Sequence, residues 1–102
     1  MGKKRPERTA RRAAERSARQ MVRDREKLAA LSPGGSRERP IAVESAAVIE
    51  VRAHATPCPQ CEGELRVNEH RTDAGLRVVA VTCNRCHAKR ELWFKLVSND
   101  PN

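Results

Sequence analysis

The stretch that decides the fold is residues 58–86, CPQCEGELRVNEHRTDAGLRVVAVTCNRC, which begins and ends with a pair of cysteines. Both pairs, CPQC at 58–61 and CNRC at 83–86, are C-x-x-C motifs, and 21 residues separate them. The spacing is close to the pattern of a site built from four thiolates. Two residues between cysteines let a tight turn direct both sulfurs at one point, and two such turns complete a tetrahedron around Zn²⁺. We therefore predict one Zn²⁺ per chain, bound by Cys58, Cys61, Cys83 and Cys86.

The composition indicates why a metal would be needed. In 102 residues the chain has one Trp, one Phe and no Tyr, and 33% of its residues are charged. A small core without large apolar side chains usually depends on disulfides or a metal. Residues 1–20 are rich in Lys and Arg and lack the apolar stretch of a secretory signal, and no segment is apolar enough to span a membrane. We therefore expect a cytoplasmic protein without a membrane partner, in which the cysteines bind metal.

Other interpretations of the cysteines are weaker. The sequence CNRCH at 83–87 matches a haem-attachment motif, but haem attachment is a property of exported proteins and leaves the first pair without a role. A thioredoxin-like redox role needs a C-x-x-C beside a helix in a βαβ unit, which the sequence lacks. His87 could replace Cys86 as a ligand, although a neighbour of a ligand more often lies outside the metal shell. Iron in place of zinc stays open, because four thiolates also bind iron.

The four thiolates also bear on catalysis. A catalytic zinc keeps one coordination position for water, whereas four thiolates close the shell. We therefore expect no enzymatic activity at this site. Four thiolates give the bound ion a net negative charge, and nearby cations are placed by sequence to offset it: Arg85, Lys89 and Arg90.

Hydrophobic periodicity predicts one helix and four strands. Pro6 suits the first turn of a helix over residues 7–31, which SPGG at 32–35 ends. We predict four later segments to be strands: 47–53 and 64–70, in which residues alternate with a period of two, 76–82, which is rich in valine, and 91–97, in which Leu92, Phe94 and Leu96 share one face. TDAG at 72–75 would join the second and third of these as a hairpin. The predicted fold class is α+β, an N-terminal helix followed by three to four antiparallel strands and stabilised by a metal.

Residues 58–97 resemble the zinc-ribbon family, in which a Cys-Pro-x-Cys knuckle, a β-hairpin, a second knuckle and a closing strand follow one another. The resemblance covers the last part of the chain and implies a ribbon of the four-cysteine type. Ribbons occur in transcription factors, ribosomal proteins, replication proteins and enzyme subdomains, so the resemblance implies a fold and a metal more than a function. The residue after each cysteine pair, often Gly in this family, is Glu62 or His87 here.

Charge is distributed unevenly along the chain. Residues 1–31 contain 11 Lys and Arg and 4 acidic residues, whereas residues 32–102 contain 10 and 9. We predict four parts: a basic amphipathic helix at 1–31, a flexible linker at 32–45, a zinc ribbon at 46–97 and a disordered tail at 98–102. A basic arm on a nearly neutral domain favours a polyanion as partner.

Most cations of the predicted helix fall in one stripe on a helical wheel. Its members recur every three or four residues within an arc of about 100°, and we call them the cationic stripe: Arg5, Arg8, Arg12, Arg16, Arg19, Arg23 and Lys27. Like charges at i, i+4 destabilise a helix unless something neutralises them, and a phosphate backbone would do so. We predict that the cationic stripe contacts nucleic acid, with DNA and RNA equally open.

Three functions are compatible with the sequence. The first is a nucleic-acid-associated accessory protein, in which the helix makes non-specific phosphate contacts and the ribbon is a docking module. The second is a protein-interaction adaptor without nucleic acid, in which the helix docks on an acidic or apolar partner. The third is a redox-sensitive switch that releases zinc when its thiolates are oxidised. Trp93 either stacks on a nucleobase or, as we expect, packs against the segment 47–53.

Overall fold

The computed structural model describes residues 6–97 of the protein. In chain order its elements are α1 (Pro6–Leu31), β1 (Ile41–Val43), α2 (Ala46–Ala55), β2 (Leu65–Asp73), β3 (Leu76–Cys83) and β4 (Lys89–Leu96). The predicted class, α+β with an N-terminal helix and a small sheet, is confirmed. Arg5 of the cationic stripe and the predicted tail at 98–102 lie outside the described residues.

The N-terminal helix α1 begins at the predicted proline and has 26 residues. Its end is fixed by the SPGG sequence, as expected. The Ser32 hydroxyl donates a hydrogen bond to the Leu28 carbonyl at 2.8 Å, and Gly34 has a φ of 82°, which favours glycine. Gly35 approaches the helix so closely that a Cβ there would lie 1.7 Å from the Ala29 carbonyl oxygen. Of the helices within residues 6–97, none combines the length and the apolar character needed to cross a bilayer.

The four strands form one sheet in the order β1-β4-β3-β2. β2 and β3 are antiparallel, and the turn between them consists of Ala74 and Gly75, both with positive φ. Such two-residue turns match the twist of a hairpin, so the predicted hairpin is confirmed. β4 pairs antiparallel with β3 and parallel with β1, where Ile41 lies opposite Phe94.

Residues 47–53, which we predicted to be a strand, belong to the helix α2, so that prediction is wrong. The apparent period of two rested largely on alanines, which favour helix and fit either a buried or an exposed position. In α2 the residues Ile49 and Ala53 lie one turn apart on the same side and are fully buried, while Val51 is 66% exposed. The helical period therefore explains the burial, and the alternating period does not.

The core lies between α2 and one face of the sheet. Ile49 and Ala53 pack there with alternate strand residues: Leu65, Val79, Val81, Leu92 and Phe94. Trp93 lies between two of these in β4 and therefore points to the opposite face. Its cross-strand partner on that face, Val78, is fully buried. The predicted packing of Trp93 against residues 47–53 is therefore wrong.

The segment 32–45, predicted to be a linker, contributes to the sheet. It supplies β1, and the Trp93 amide donates a hydrogen bond to the Gly34 carbonyl at 2.9 Å. The sheet therefore includes residues outside the range 46–97 that the sequence suggested for it. Parallel pairing with β4, about fifty residues later, is a non-local contact that composition does not signal.

Candidate metal centre

The four predicted ligands meet where two turns leave the sheet and α2. Cys58 and Cys61 lie in the turn that follows α2, Cys83 ends β3, and Cys86 lies in the turn before β4. Their Sγ atoms all lie within 4.8 Å of one another. Within residues 6–97 no other group of three or more His, Cys, Asp or Glu side chains is placed to hold a metal ion. His87 is not a member of the cluster, so its substitution for Cys86 as a ligand gains no support.

The cluster has the dimensions of a tetrathiolate site. Four sulfurs at about 2.3 Å from a central Zn²⁺ lie about 3.8 Å apart in a tetrahedron. The Sγ atoms of Cys58 and Cys86 are 3.7 Å apart, and those of Cys61 and Cys83 are 3.4 Å apart. The cysteines are free thiols, and each of these distances joins one cysteine of the first pair to one of the second. The two pairs therefore face a common point, and the residues present fit a metal ion bound by four sulfurs.

The two turns that carry the ligands have the same backbone structure. In each turn the first cysteine's amide donates to the carbonyl five residues later, and its carbonyl accepts from the amide four residues later. These bonds are Cys58 N to Gly63 O and Cys83 N to Ala88 O, both 2.9 Å, with Glu62 N to Cys58 O at 2.7 Å and His87 N to Cys83 O at 3.0 Å. We call these turns the first and second knuckles. Their equivalence means that both pairs present their sulfurs in the same way.

The residue after each cysteine pair adopts a left-handed conformation. Glu62 and His87 both have a φ of 62°, the region in which a Cβ contacts the following carbonyl and a residue other than glycine is disfavoured by roughly 1–2 kcal/mol. The positions at which the sequence departs from the glycine frequent in zinc ribbons are therefore the strained positions of the knuckles.

Relief of this strain should be measurable. We expect Glu62→Gly to stabilise the metal-loaded protein by about 0.5–1 kcal/mol, because glycine adopts positive φ without a clash but also makes the unfolded chain more flexible. Glu64→Gly is the matched control, since Glu64 is also exposed but does not have a positive φ, and it should lose stability. Thermal unfolding measures both. Equal losses in the two variants would contradict the assignment of strain to Glu62.

Gly63 is required by close approach of the two knuckles. A Cβ at this position would lie 3.0 Å from the Cys83 sulfur, 3.2 Å from the Cys61 sulfur and 2.9 Å from the Arg85 Cβ. Two of the three contacts are with sulfurs of the cluster, which cannot move apart without distorting the arrangement that fits a metal ion. Any side chain at residue 63 therefore acts on the metal centre.

We expect Gly63→Ala to weaken metal binding by about tenfold or more, since overpacking of a fixed site typically costs about 1–3 kcal/mol. Gly75→Ala is the control, because a Cβ there meets nothing within 4 Å, although its φ of 85° should lower fold stability. Competition with a chromophoric chelator measures the affinity. If both variants bind zinc as tightly as the wild type, the crowding at Gly63 has no bearing on the metal.

Backbone amides point at the sulfurs and favour thiolates. The amides of Arg85 and Cys86 donate to the Cys83 sulfur at 3.3 and 3.4 Å, and the Gln60 amide donates to the Cys58 sulfur at 3.4 Å. The hydrogen bond from Cys86, helped by that from Arg85, lowers the pKa of the Cys83 thiol to about 6, although burial opposes this. The pKa of Cys86 is raised despite a backbone hydrogen bond at Ala88, because desolvation and the three other thiols outweigh it. The fold therefore favours the thiolate of Cys83, the form in which a cysteine binds a metal ion.

Comparisons with protein-family models, curated proteins and solved structures give no match for this chain. The candidate metal centre therefore rests on the arrangement of the four cysteines alone.

The cationic stripe lies on α1. Its described members, Arg8, Arg12, Arg16, Arg19, Arg23 and Lys27, are all exposed. Of the cations expected to offset the thiolate charge, Arg85 donates to the Cys61 carbonyl at 3.2 Å and so joins the two knuckles. Arg90 instead contacts α1, where it donates to the Glu26 carboxylate.

Sequence reasoning missed the contact between α1 and the metal centre. Gln60, between two of the ligands, donates to the Val22 carbonyl at 3.0 Å and to the Glu26 carboxylate at 2.6 Å. These residues lie more than thirty positions apart, and a glutamine inside C-x-x-C carries no signal of its own. Only the folded chain reveals the pairing.

Proposed function

We propose that this chain is a zinc-binding, nucleic-acid-associated accessory protein of the zinc-ribbon type, active in the cytoplasm. Its metal centre is structural, and α1 contacts the phosphates of DNA or RNA through the cationic stripe. The observation that carries the proposal is a cluster of four sulfurs joined to a helix on which the described cations of the stripe, Arg8 to Lys27, form no ion pair within 4.0 Å.

Zinc is proposed because of the donor set. Four cysteine thiolates around one point suit Zn²⁺, which has no geometric demand beyond a tetrahedron of soft ligands. With four sulfurs bound, the ion has no free position for water or substrate. We therefore propose that the centre supports the fold and does not catalyse a reaction.

The charges of α1 support the nucleic-acid partner. Among the described residues, Glu26 is the one residue of α1 that forms an ion pair within 4.0 Å. Its partner is Arg90. Glu15 does not pair with Arg19, four residues later. The cations therefore keep their mutual repulsion, which phosphate groups would relieve while releasing counterions.

An adaptor that binds another protein is the second candidate, and one observation favours it. On the side of α1 away from the cationic stripe, Met21, Leu28 and Leu31 are 51%, 65% and 61% exposed. Exposed apolar groups on one side of a helix suit a protein groove. Binding to such a partner would depend little on salt.

The proposal is tested with metal-loaded full-length protein and duplex DNA, single-stranded DNA and RNA at two salt concentrations. We expect binding to at least one of them, with a slope of log affinity against log salt near −3 for about four phosphate contacts. Deletion of residues 1–19 should remove most of this affinity, and it spares the residues near Val22 and Glu26 that contact the first knuckle. If affinity and slope are unchanged by the deletion, α1 is not the binding element and the adaptor becomes the better account.

A further inference from the structure

The C-terminal half of α1 is bound to the first knuckle through one residue, Gln60. Its side-chain amide donates to the Val22 carbonyl at 3.0 Å and to the Glu26 carboxylate at 2.6 Å. Its own carbonyl accepts a hydrogen bond from the Arg25 guanidinium at 2.9 Å. Gln60 lies between Cys58 and Cys61, and its backbone amide donates a hydrogen bond to the Cys58 sulfur. The position of Gln60 is therefore set by the same turn that sets the sulfurs.

A second contact joins α1 to the strand that follows the second knuckle. Arg90 lies four residues after Cys86, and its side chain is 9% exposed. Its guanidinium donates two hydrogen bonds to the Glu26 carboxylate, at 2.6 and 3.2 Å. Hydrogen bonds from Arg90 keep the pKa of Glu26 below its usual value, against the effect of partial burial. Removing Glu26 would leave a largely buried guanidinium without its carboxylate, which is unfavourable.

Polar side-chain bonds attach α1 to the first knuckle and to β4. A cavity of about 510 Å³ lies between the last turns of α1 and the first half of β4. Its lining includes Leu28, Ala29, Pro57 and Trp93. Gly34 and Gly35 fix the end of the helix against Trp93 and Ala29. Gln60, Glu26 and Arg90 add the bonds that hold its orientation, because hydrogen bonds and ion pairs fix direction where loose apolar contact does not.

The attachment leaves the cationic stripe accessible. At 100° per residue, Arg25 and Ala29 lie more than about 100° from the centre of the stripe, and Glu26 lies at its edge. Residues 8–21 are all exposed. A helix of 26 residues is about 39 Å long, so a small change of angle at Glu26 moves Arg8 by many ångströms.

We propose that Gln60 and Arg90 couple the metal centre to the orientation of α1. With the metal bound, the knuckles hold the helix at a fixed angle and the cationic stripe forms one rigid surface with the ribbon. When the knuckles lose their geometry, the bonds to Val22 and Glu26 are lost and α1 is released. This inference rests on the proposed metal site. A flexible linker at 32–45 would let α1 move freely, whereas these bonds give the helix a defined position.

The test is to measure residual dipolar couplings and ¹⁵N relaxation of metal-loaded full-length protein. In the wild type, the amides of α1 should fit the same alignment tensor as the sheet. Glu26→Ala changes α1 alone and leaves every ligand in place, and it should abolish this agreement and shorten the apparent correlation time of α1. Gln60→Ala should do the same from the knuckle side. Gln20→Ala is the matched control, since Gln20 bonds only to Asp24 within α1 at 2.9 Å, and it should change nothing.

Metal content is measured on the same samples, which separates two failures. If the wild type binds no metal, the proposed function fails before the inference is reached. If one metal is bound per chain and α1 already moves independently in the wild type, or stays aligned with the sheet in Glu26→Ala, the coupling is refuted while the metal site stands.

Discussion

Removal of the metal should unfold the sheet. Cys58 and Cys83 belong to the hydrophobic core as well as to the metal cluster, and the core has a single aromatic residue, Phe94. Metal binding in small zinc-finger peptides contributes an apparent free energy of roughly 10–16 kcal/mol, which equals or exceeds the total stability of most small domains, about 5–15 kcal/mol. The domain therefore has little stability to spare once the ion is removed. Complete chelation, or Cys58→Ser, should abolish the folded state.

The measurement is the amide NMR spectrum of labelled protein, which should lose its dispersion on chelation and recover it when zinc returns. Ala53→Ser is the control, because it places a hydroxyl in the same fully buried core without removing a ligand. That variant should lose about 1–3 kcal/mol of stability but keep a dispersed spectrum and its metal. A protein that keeps its dispersed spectrum after full chelation would contradict the prediction.

Neutralisation of the cationic stripe should cause the largest change in function. Replacement of Arg8, Arg12, Arg16 and Arg19 by Gln removes up to four phosphate contacts. Each contact contributes about 0.7–0.9 to the salt slope, so the slope should flatten by about 3 and the affinity should fall for all sequences alike, because phosphate contacts carry no sequence information. These residues are exposed and lie outside the contact with the knuckle, so stability should change little.

The control carries the same change in charge at other exposed positions. Arg37, Arg39, Arg52 and Arg66 are all exposed and lie outside α1. Their replacement by Gln lowers the net charge equally but should leave most of the affinity and slope. If the two quadruple variants bind nucleic acid with the same slope, attraction depends on total charge and the stripe has no special role.

The features that sequence predicted are the ones encoded locally. The cluster of four cysteines follows from a short spacing rule, α1 from composition with proline at its start and glycines after its end, and the hairpin from the turn at 72–75 between two strand-forming runs. Each of these signals lies within a few residues of the feature it specifies. Local chemistry alone was therefore sufficient for them.

The features that sequence missed depend on distant partners. α2 was taken for a strand because its alanines fit either period, and only the sheet beneath Ile49 and Ala53 decides which side is buried. β1 has three residues and exists because β4 offers it an edge. The contact between Gln60 and Glu26 joins residues 34 positions apart. None of these could be read from a window of neighbouring residues.

The central claim is a closed metal centre of four cysteine sulfurs, and X-ray absorption spectroscopy on purified protein of known metal content tests it most directly. We predict one zinc per chain with four sulfurs at about 2.3 Å and no oxygen or nitrogen ligand. Iron in the same four-sulfur shell would change the ion but keep the architecture. Three sulfurs with a water or imidazole in the fourth position would contradict the account, because such a site is open to substrate and the proposed structural role would no longer follow.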